Sequence, residues 1–107
     1  MERLAVVARL KPGTEAEATE LVAAGPPVDL ASRGFTRHSV FRSKSAVVFV
    51  FEAHEVEWLV DDLLEEQFRH PVLAAALEAW QALIEGQPQV APEQFFWRGA
   101  PEGDEAA

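Results

Sequence analysis

The three histidines of this chain are the residues best able to do acid–base chemistry near neutral pH. His38 lies in a run of β-branched and aromatic residues, so its imidazole could act as a general base, a hydrogen-bond donor or a ligand. The alternative for His38 is a hydrogen-bonded or half-exposed residue of an edge strand. His54 and His70 stand where helices are predicted to begin, and we expect them to cap those helices or, for His70, to lie on the surface.

Whether His38 has a charged partner depends on the turn between two predicted strands. A two-residue loop at 44–45 pairs His38 with Phe51 and places Arg37 opposite Glu52. That register predicts a cross-strand ion pair between the arginine and the glutamate. It leaves the histidine without a carboxylate.

A three-residue loop at 43–45 gives the other register. It pairs His38 with Val50 and puts Glu52 on the same face as His38, two residues along the strand. In this register His38 and Glu52 form the candidate catalytic pair. The turn "SKS" lacks the Asn-Gly or Asp-Gly signal of a tight turn, so the sequence leaves both registers open.

No pattern in the sequence predicts a metal or a cofactor. His38, Glu52 and His54 are the residue types of a two-histidine, one-carboxylate iron site, but their spacing matches no metal motif. The chain has no cysteine, which excludes thiolate chemistry and cysteine-based metal sites. Neither a glycine-rich phosphate loop nor a Gly-x-Ser-x-Gly elbow occurs. We therefore expect no bound metal and no cofactor.

Length and charge limit the domain count and the partners. The 107 residues suffice for one domain, predicted over 1–99, followed by an acidic tail over 100–107. Eighteen acidic and nine scattered basic residues give a net charge of −9, so neither nucleic acid nor an anionic membrane is an expected partner. No apolar run reaches about 20 residues, and the start lacks the sections of a signal peptide, which predicts a cytoplasmic protein.

The strands and helices that carry these residues are predicted from hydrophobic periodicity, turn signals and helix caps. Apolar residues alternate or cluster in four segments, and they recur at helical spacing in three others. The predicted strands cover 3–10, 35–42, 46–53 and 93–99, and the predicted helices cover 14–25, 55–66 and 71–86. Thr14 and Glu17 have the spacing of a capping box at the first helix.

This order, β-α-β-β-α-α-β, predicts an α+β, ferredoxin-like βαββαβ fold with its second helix broken in two. We expect a four-stranded antiparallel sheet with the helices on one face. Strands one and three are predicted to lie side by side and parallel in the middle of the sheet, with strands two and four at the edges.

The third strand raises the question of what covers the sheet, because residues 46–51 are all apolar. Neighbouring residues point to opposite faces, so Phe49 and Phe51 face one side while Val48 and Val50 face the other. The helices can cover only one side. A second copy of the chain is predicted to cover the other, giving a homodimer through the sheet faces. The alternative is that the C-terminal segment folds back over the open face.

Several short stretches give the chain a resemblance to a known group. They are the turn "LKPG", the strand "VVFVFEA" leading into an acidic helix with "EW", the stretch "FRHPVLAAALEAW" and the aromatic "EQFFW". Over residues 1–99 the layout resembles the dimeric α+β barrel superfamily, which includes antibiotic-biosynthesis monooxygenase-like, stress-responsive barrel and rhamnose-mutarotase-like proteins. The resemblance implies a dimer with a pocket between sheet and helices. It also implies activities that range from cofactor-free oxygenation and haem degradation to sugar mutarotation.

Three functions remain open at this point. The first is binding of a small, largely apolar molecule between sheet and helices, by the residues Arg37, His38, Phe49, Phe51 and Trp97. The second is a cofactor-independent monooxygenase or isomerase with His38 as general base. The third is a structural or regulatory dimer. Of the other two tryptophans, Trp80 is predicted to pack in the core and Trp58 to point outward.

Overall fold

A computed structural model describes residues 1–99 of the protein, so the expected acidic tail at 100–107 lies outside the described residues. The element order is the predicted one, with four strands, three helices and two single 3₁₀ turns, at Ala31–Arg33 and Glu66–Phe68. The strands and helices are β1 (Glu2–Leu10), α1 (Glu15–Ala24), β2 (Phe35–Arg42), β3 (Ala46–Ala53), α2 (Val56–Glu65), α3 (Pro71–Leu83) and β4 (Ile84–Pro92).

The sheet has the strand order β2-β3-β1-β4, which confirms the prediction that the first and third strands lie in the middle. The predicted parallel pairing of those two strands is wrong, because β1 and β3 run antiparallel. The reason lies in the hairpin. The crossover through α1 skips one position and makes β1 and β2 parallel, and β3 then returns between them in the opposite direction.

The last strand lies earlier in the chain than predicted. Helix α3 ends at Leu83 rather than near Gly86, and β4 follows at once, whereas residues 93–99 form no strand. Only the first residue of β4 is buried, so the alternation that would have revealed this strand is absent. Residues 86–88 stand opposite a single residue of β1, where the register shifts, and Gly86 has a φ of +75° that suits this bulge.

The helices pack on one face of the sheet through two hydrophobic clusters. The even positions of β1 and the odd positions of β3 face the helices, as the pairing of Leu4 with Phe51 and of Ala8 with Val47 shows. The first cluster, beneath α2, contains Leu4, Phe35, Ala53, Val56, Val60, Leu63 and Leu73. The second, beneath α1 and the end of α3, contains Ala8, Leu10, Ala18, Val47, Leu83 and Ile84.

Within residues 1–99 the opposite face of the sheet carries no helix, and its centre is apolar. Val48 pairs with Val7 and Val50 pairs with Ala5, and none of these four side chains is fully buried. On the edge strand Phe41, which pairs with Val48, is 61% exposed. We call this surface, made by the odd positions of β1, the even positions of β3 and positions 37, 39 and 41 of β2, the open face.

Two of the three predicted helix caps are wrong. Thr14 forms no capping box, because its hydroxyl donates to the Lys11 carbonyl (2.7 Å). His54 is not a cap, since the amide of Val56 at the start of α2 donates instead to the carboxylate of Glu2 (3.2 Å). The prediction for His70 is confirmed.

His70 is the residue at the start of α3, and its Nδ1 accepts a hydrogen bond from the Leu73 amide (3.2 Å). Pro71 then occupies the first turn, where a missing N–H costs nothing.

No helix within residues 1–99 is long and apolar enough to cross a membrane.

Candidate functional site

The turn between β2 and β3 has two residues, which selects one of the two registers left open by the sequence. The Ser43 amide donates to the Ala46 carbonyl (2.9 Å), and Arg42 pairs with Val47. The same register pairs His38 with Phe51. His38 therefore faces the helices, on the side of the sheet opposite to the open face.

This register excludes the candidate catalytic pair. Glu52 is paired with Arg37, one residue away from His38 in register, and therefore points to the open face. Its carboxylate lies 3.8 Å from Nε of Arg37, which confirms the predicted cross-strand ion pair. Because His38 and Glu52 lie on opposite faces, the structure does not bring them together as acid and base, and the nominal iron ligands are not assembled.

His38 lies instead in a row of aromatic side chains on the helix face. Its ring stacks on Phe51 (centroids 4.5 Å apart, 25° between planes) and is parallel to Phe49 (6.5 Å, 2°). Phe51 contacts Phe35 at 5.3 Å, and Phe49 meets Trp80 edge to face at 5.2 Å. These separations are those that attractive aromatic pairs adopt. We call these five residues the aromatic row.

The row crosses from one hydrophobic cluster to the other. Phe51 packs against the cluster beneath α2, whereas Phe49 and Trp80 pack against the cluster beneath α1 and α3. His38 stacks with both phenylalanines, so its imidazole lies at the join between the two clusters.

The hydrogen bond of His38 defines which ring nitrogen carries the proton. Nδ1 lies 3.1 Å from the Val50 carbonyl oxygen, and because a carbonyl oxygen can only accept, Nδ1–H is the donor. In the neutral ring Nε2 then holds a lone pair. Within residues 1–99 no side chain or backbone group forms a hydrogen bond with Nε2.

Burial lowers the pKa of His38 below its ordinary value of 6.5, because partial removal from water disfavours the charged imidazolium. The hydrogen bond to the Val50 carbonyl acts in the opposite direction and is the smaller effect. The imidazole is consequently neutral at neutral pH. A neutral imidazole with an unpaired nitrogen can accept a proton or a hydrogen bond.

The other predicted binding residues lie apart from the aromatic row. Arg37 is on the open face with a side chain 71% exposed. Trp97 lies beyond β4 and is 74% exposed. Sequence reasoning placed Trp80 in the core, and it does pack there, but its edge contact with Phe49 also makes it part of the row. Trp58 points outward as predicted, 63% exposed.

The segment after β4 partly folds over the open face. Nε of Arg3 lies 2.8 Å from the Glu93 carboxylate, and its guanidinium carbon lies 3.9 Å from the centre of the Phe96 ring. A depression of about 310 Å³ lies beside this contact, lined by Ala5, Val50, Ala91 and neighbouring residues. A second depression, of about 350 Å³, lies between the N-terminus of β1 and α2. Neither depression is lined by a residue of the aromatic row.

The fold is similar to that of solved structures described as antibiotic biosynthesis monooxygenases and a polyketide cyclase, in agreement with the resemblance seen in the sequence. The tetracenomycin F2 cyclase of Streptomyces glaucescens, a type II polyketide cyclase, superimposes with a TM-score of 0.63 at 18% identity, covering 92% of this chain and 98% of its own. A Bordetella bronchiseptica protein classed with the antibiotic biosynthesis monooxygenases gives 0.64 at 19% identity, over 90% and 97% of the two chains.

An antibiotic biosynthesis monooxygenase gives a TM-score of 0.63 at 12% identity, over 90% of this chain and 99% of its own. No family model matches the sequence, and no curated protein sequence does. At these identities the likeness establishes the fold, and function has to be argued from the site.

The lowered pKa of His38 predicts how the stability of the fold depends on pH. The folded chain binds fewer protons than the unfolded chain once pH falls below about 6.5, so acid favours unfolding. We expect the free energy of unfolding to decrease relative to that of His38→Phe as pH falls through 6.5, and the difference to level off below the folded-state pKa.

Urea unfolding of the wild type and His38→Phe across this pH range measures the difference in their free energies of unfolding. Because both proteins contain His54 and His70, the effects of those two histidines cancel. An NMR titration of the His38 ring gives the folded-state pKa directly. A midpoint at or above 6.5 would contradict the prediction.

Proposed function

We propose that this protein binds a small, flat, largely apolar molecule at the aromatic row, on the helix face of the β2–β3 hairpin. One observation carries the proposal. A half-buried imidazole stands among aromatic rings, with one nitrogen bonded to the Val50 carbonyl and the other without a hydrogen-bond partner among residues 1–99. Such a combination of apolar walls and one oriented polar group is typical of small-molecule sites.

The position of β2 supports access to this site. β2 is an edge strand, and on its helix face His38 and Val40 keep part of their surface exposed. Trp80 of α3 is also only partly buried. A flat molecule entering over this edge would lie beside His38 and meet the rings of Phe49 and Trp80.

The comparisons support the class of ligand. One structural neighbour is described as a polyketide cyclase and others as antibiotic biosynthesis monooxygenases. Their architecture can therefore hold small organic molecules. The aromatic row offers this chain ring faces for the same purpose, and stacking on them favours an aromatic ligand.

The same proposal includes a homodimer formed through the open face. Large apolar side chains on this surface, among them Val7, Val48 and Phe41, keep contact with water in the single chain. A contiguous apolar surface of this kind is uncommon on a monomer. A second copy packed face to face would bury it by an isologous contact.

The segment after β4 does not replace that partner. Phe96 lies at the end of the open face near Arg3 and is itself 55% exposed. The opposite half of the face, around Val48 and Phe41, has no covering segment within residues 1–99.

A second candidate function is a cofactor-independent enzyme in which His38 transfers a proton. The observation that favours it is the anchored ring, because Nδ1–H is held by the Val50 carbonyl and Nε2 is left as a base. A carbon acid bound beside Phe49 would give its proton to Nε2. The enolate or phenolate formed would then be the species that cyclises, isomerises or reacts with oxygen.

The binding proposal predicts which tryptophan responds to a flat aromatic probe. Naphthalene should shift the NMR signal of the Trp80 indole and leave those of Trp58 and Trp97 unchanged, because only Trp80 belongs to the aromatic row. The two exposed tryptophans serve as internal controls. If the Trp80 signal does not move at any naphthalene concentration up to its solubility in water, the binding proposal fails. The structural or regulatory dimer then becomes the better hypothesis.

The dimer proposal predicts opposite results for two neighbouring substitutions. Val48→Asp places a charge on the open face and should yield a folded monomer, whereas Phe49→Asp places it beside Trp80 and should unfold the chain. Val72→Asp, at an exposed position on α3, is the matched control and should change neither property. Sedimentation measures whether each variant is a monomer or a dimer, and circular dichroism measures whether it is folded. A wild-type chain that sediments as a monomer would refute the dimer.

The enzyme candidate predicts catalysed hydrogen exchange. In D₂O, Nε2 of His38 would take a proton from the carbon next to the carbonyl of 2-tetralone and return a deuteron to the enolate. We expect exchange faster than in buffer by about 10²-fold or more, the lower range for a positioned base, and loss of the increase in His38→Phe. Proton NMR follows the loss of the signal from the exchanging C–H group of 2-tetralone. Equal rates with wild type and His38→Phe would exclude this role.

A further inference from the structure

We propose that Nε2 of His38 is a fixed hydrogen-bond acceptor that selects neutral ligands carrying an O–H or N–H group and disfavours anions. This inference rests on the proposed function and adds to it the polar chemistry of the ligand. The ligand would be a flat apolar body with one donor group at the position of Nε2.

The first step is the orientation of the ring. Nδ1–H donates to the Val50 carbonyl, which belongs to the strand directly beside His38 in the sheet. Stacking on Phe51 and the parallel Phe49 ring hold the plane of the imidazole. The hydrogen bond therefore joins two groups whose positions are set by the same hairpin.

The second step is that the other tautomer is disfavoured. Moving the proton to Nε2 would place the Nδ1 lone pair against the Val50 carbonyl oxygen at 3.1 Å, so an attraction would become a repulsion. A half-buried polar group that loses its partner also loses the free energy of that bond. The neutral ring consequently presents an acceptor at Nε2.

The third step concerns charge. An anionic group at Nε2 would meet a lone pair and the apolar rings of Phe49 and Phe51. The neighbouring cation Arg37 lies on the open face and pairs there with Glu52, and Arg42, which is on the helix face, lies four residues away at the exposed end of the strand. An anion at this site would lose hydration without gaining a donor from the ring.

The experiment compares three probes that share one ring system. 2-Naphthol has a hydroxyl donor, 2-methoxynaphthalene has an oxygen without a hydrogen, and 2-naphthoate is an anion at neutral pH. Binding is followed by the shift of the Trp80 indole signal. We expect 2-naphthol to bind about 2- to 10-fold more tightly than 2-methoxynaphthalene, the range for one hydrogen bond, and 2-naphthoate to bind most weakly.

Two variants show whether His38 causes the preference. His38→Phe keeps an aromatic ring at the position and should bind 2-naphthol and 2-methoxynaphthalene equally. His54→Phe changes an exposed histidine beyond the end of β3 and should keep the wild-type order. The ¹⁵N shifts of His38 in the wild-type protein give the tautomer directly, and they need no variant to fold.

The outcomes separate this inference from the proposed function. If the probes bind but 2-naphthoate binds as tightly as 2-naphthol, or if the ¹⁵N shifts place the proton on Nε2, the acceptor role is overturned and the binding site stands. If His38→Phe retains the preference for 2-naphthol, the role is likewise overturned. If no probe shifts the Trp80 signal, the proposed function and this inference fall together.

Discussion

The tight turn between β2 and β3 decides which side chains share a face of the sheet. Because the turn has two residues, Glu52 joins Arg37 on the open face and His38 joins Phe49 and Phe51 on the helix face. One more residue in the loop would exchange these partners. The chemistry open to His38 therefore follows from a turn at 44–45, which begins six residues further along the chain. The imidazole has aromatic neighbours and a carbonyl partner in place of a carboxylate.

The central strands are apolar on both faces, and this makes the two sides of the sheet unequal. Three short helices cover one side through two separate clusters, and the aromatic row bridges them. Within residues 1–99 the other side holds no helix, and Glu93 and Phe96 contact Arg3 at one end of it. The proposed site at the aromatic row and the proposed association surface on the open face both follow from this difference between the two sides of the sheet.

Much of the fold could be predicted from the sequence, because the periodicities of β1, α2, β3 and α3 are strong. The position of β4 could not, since an exposed edge strand needs no alternation of apolar residues and the more β-prone segment "EQFFW" that follows it forms no strand. For the site, residue type pointed to His38, Phe49 and Phe51. The turn sequence "SKS" does not specify whether the loop has two or three residues, so the register could not be predicted from it. Trp97 lies apart from the aromatic row because residues 93–99 form no strand.

Strand β4 also limits how these molecules can meet. Its outer edge is interrupted by the bulge at 86–88, and prolines at positions 88 and 92 remove two of the amide donors that another strand would need. An incoming chain cannot extend the sheet along that border in register. Growth of the sheet by strand addition is therefore disfavoured from the β4 side.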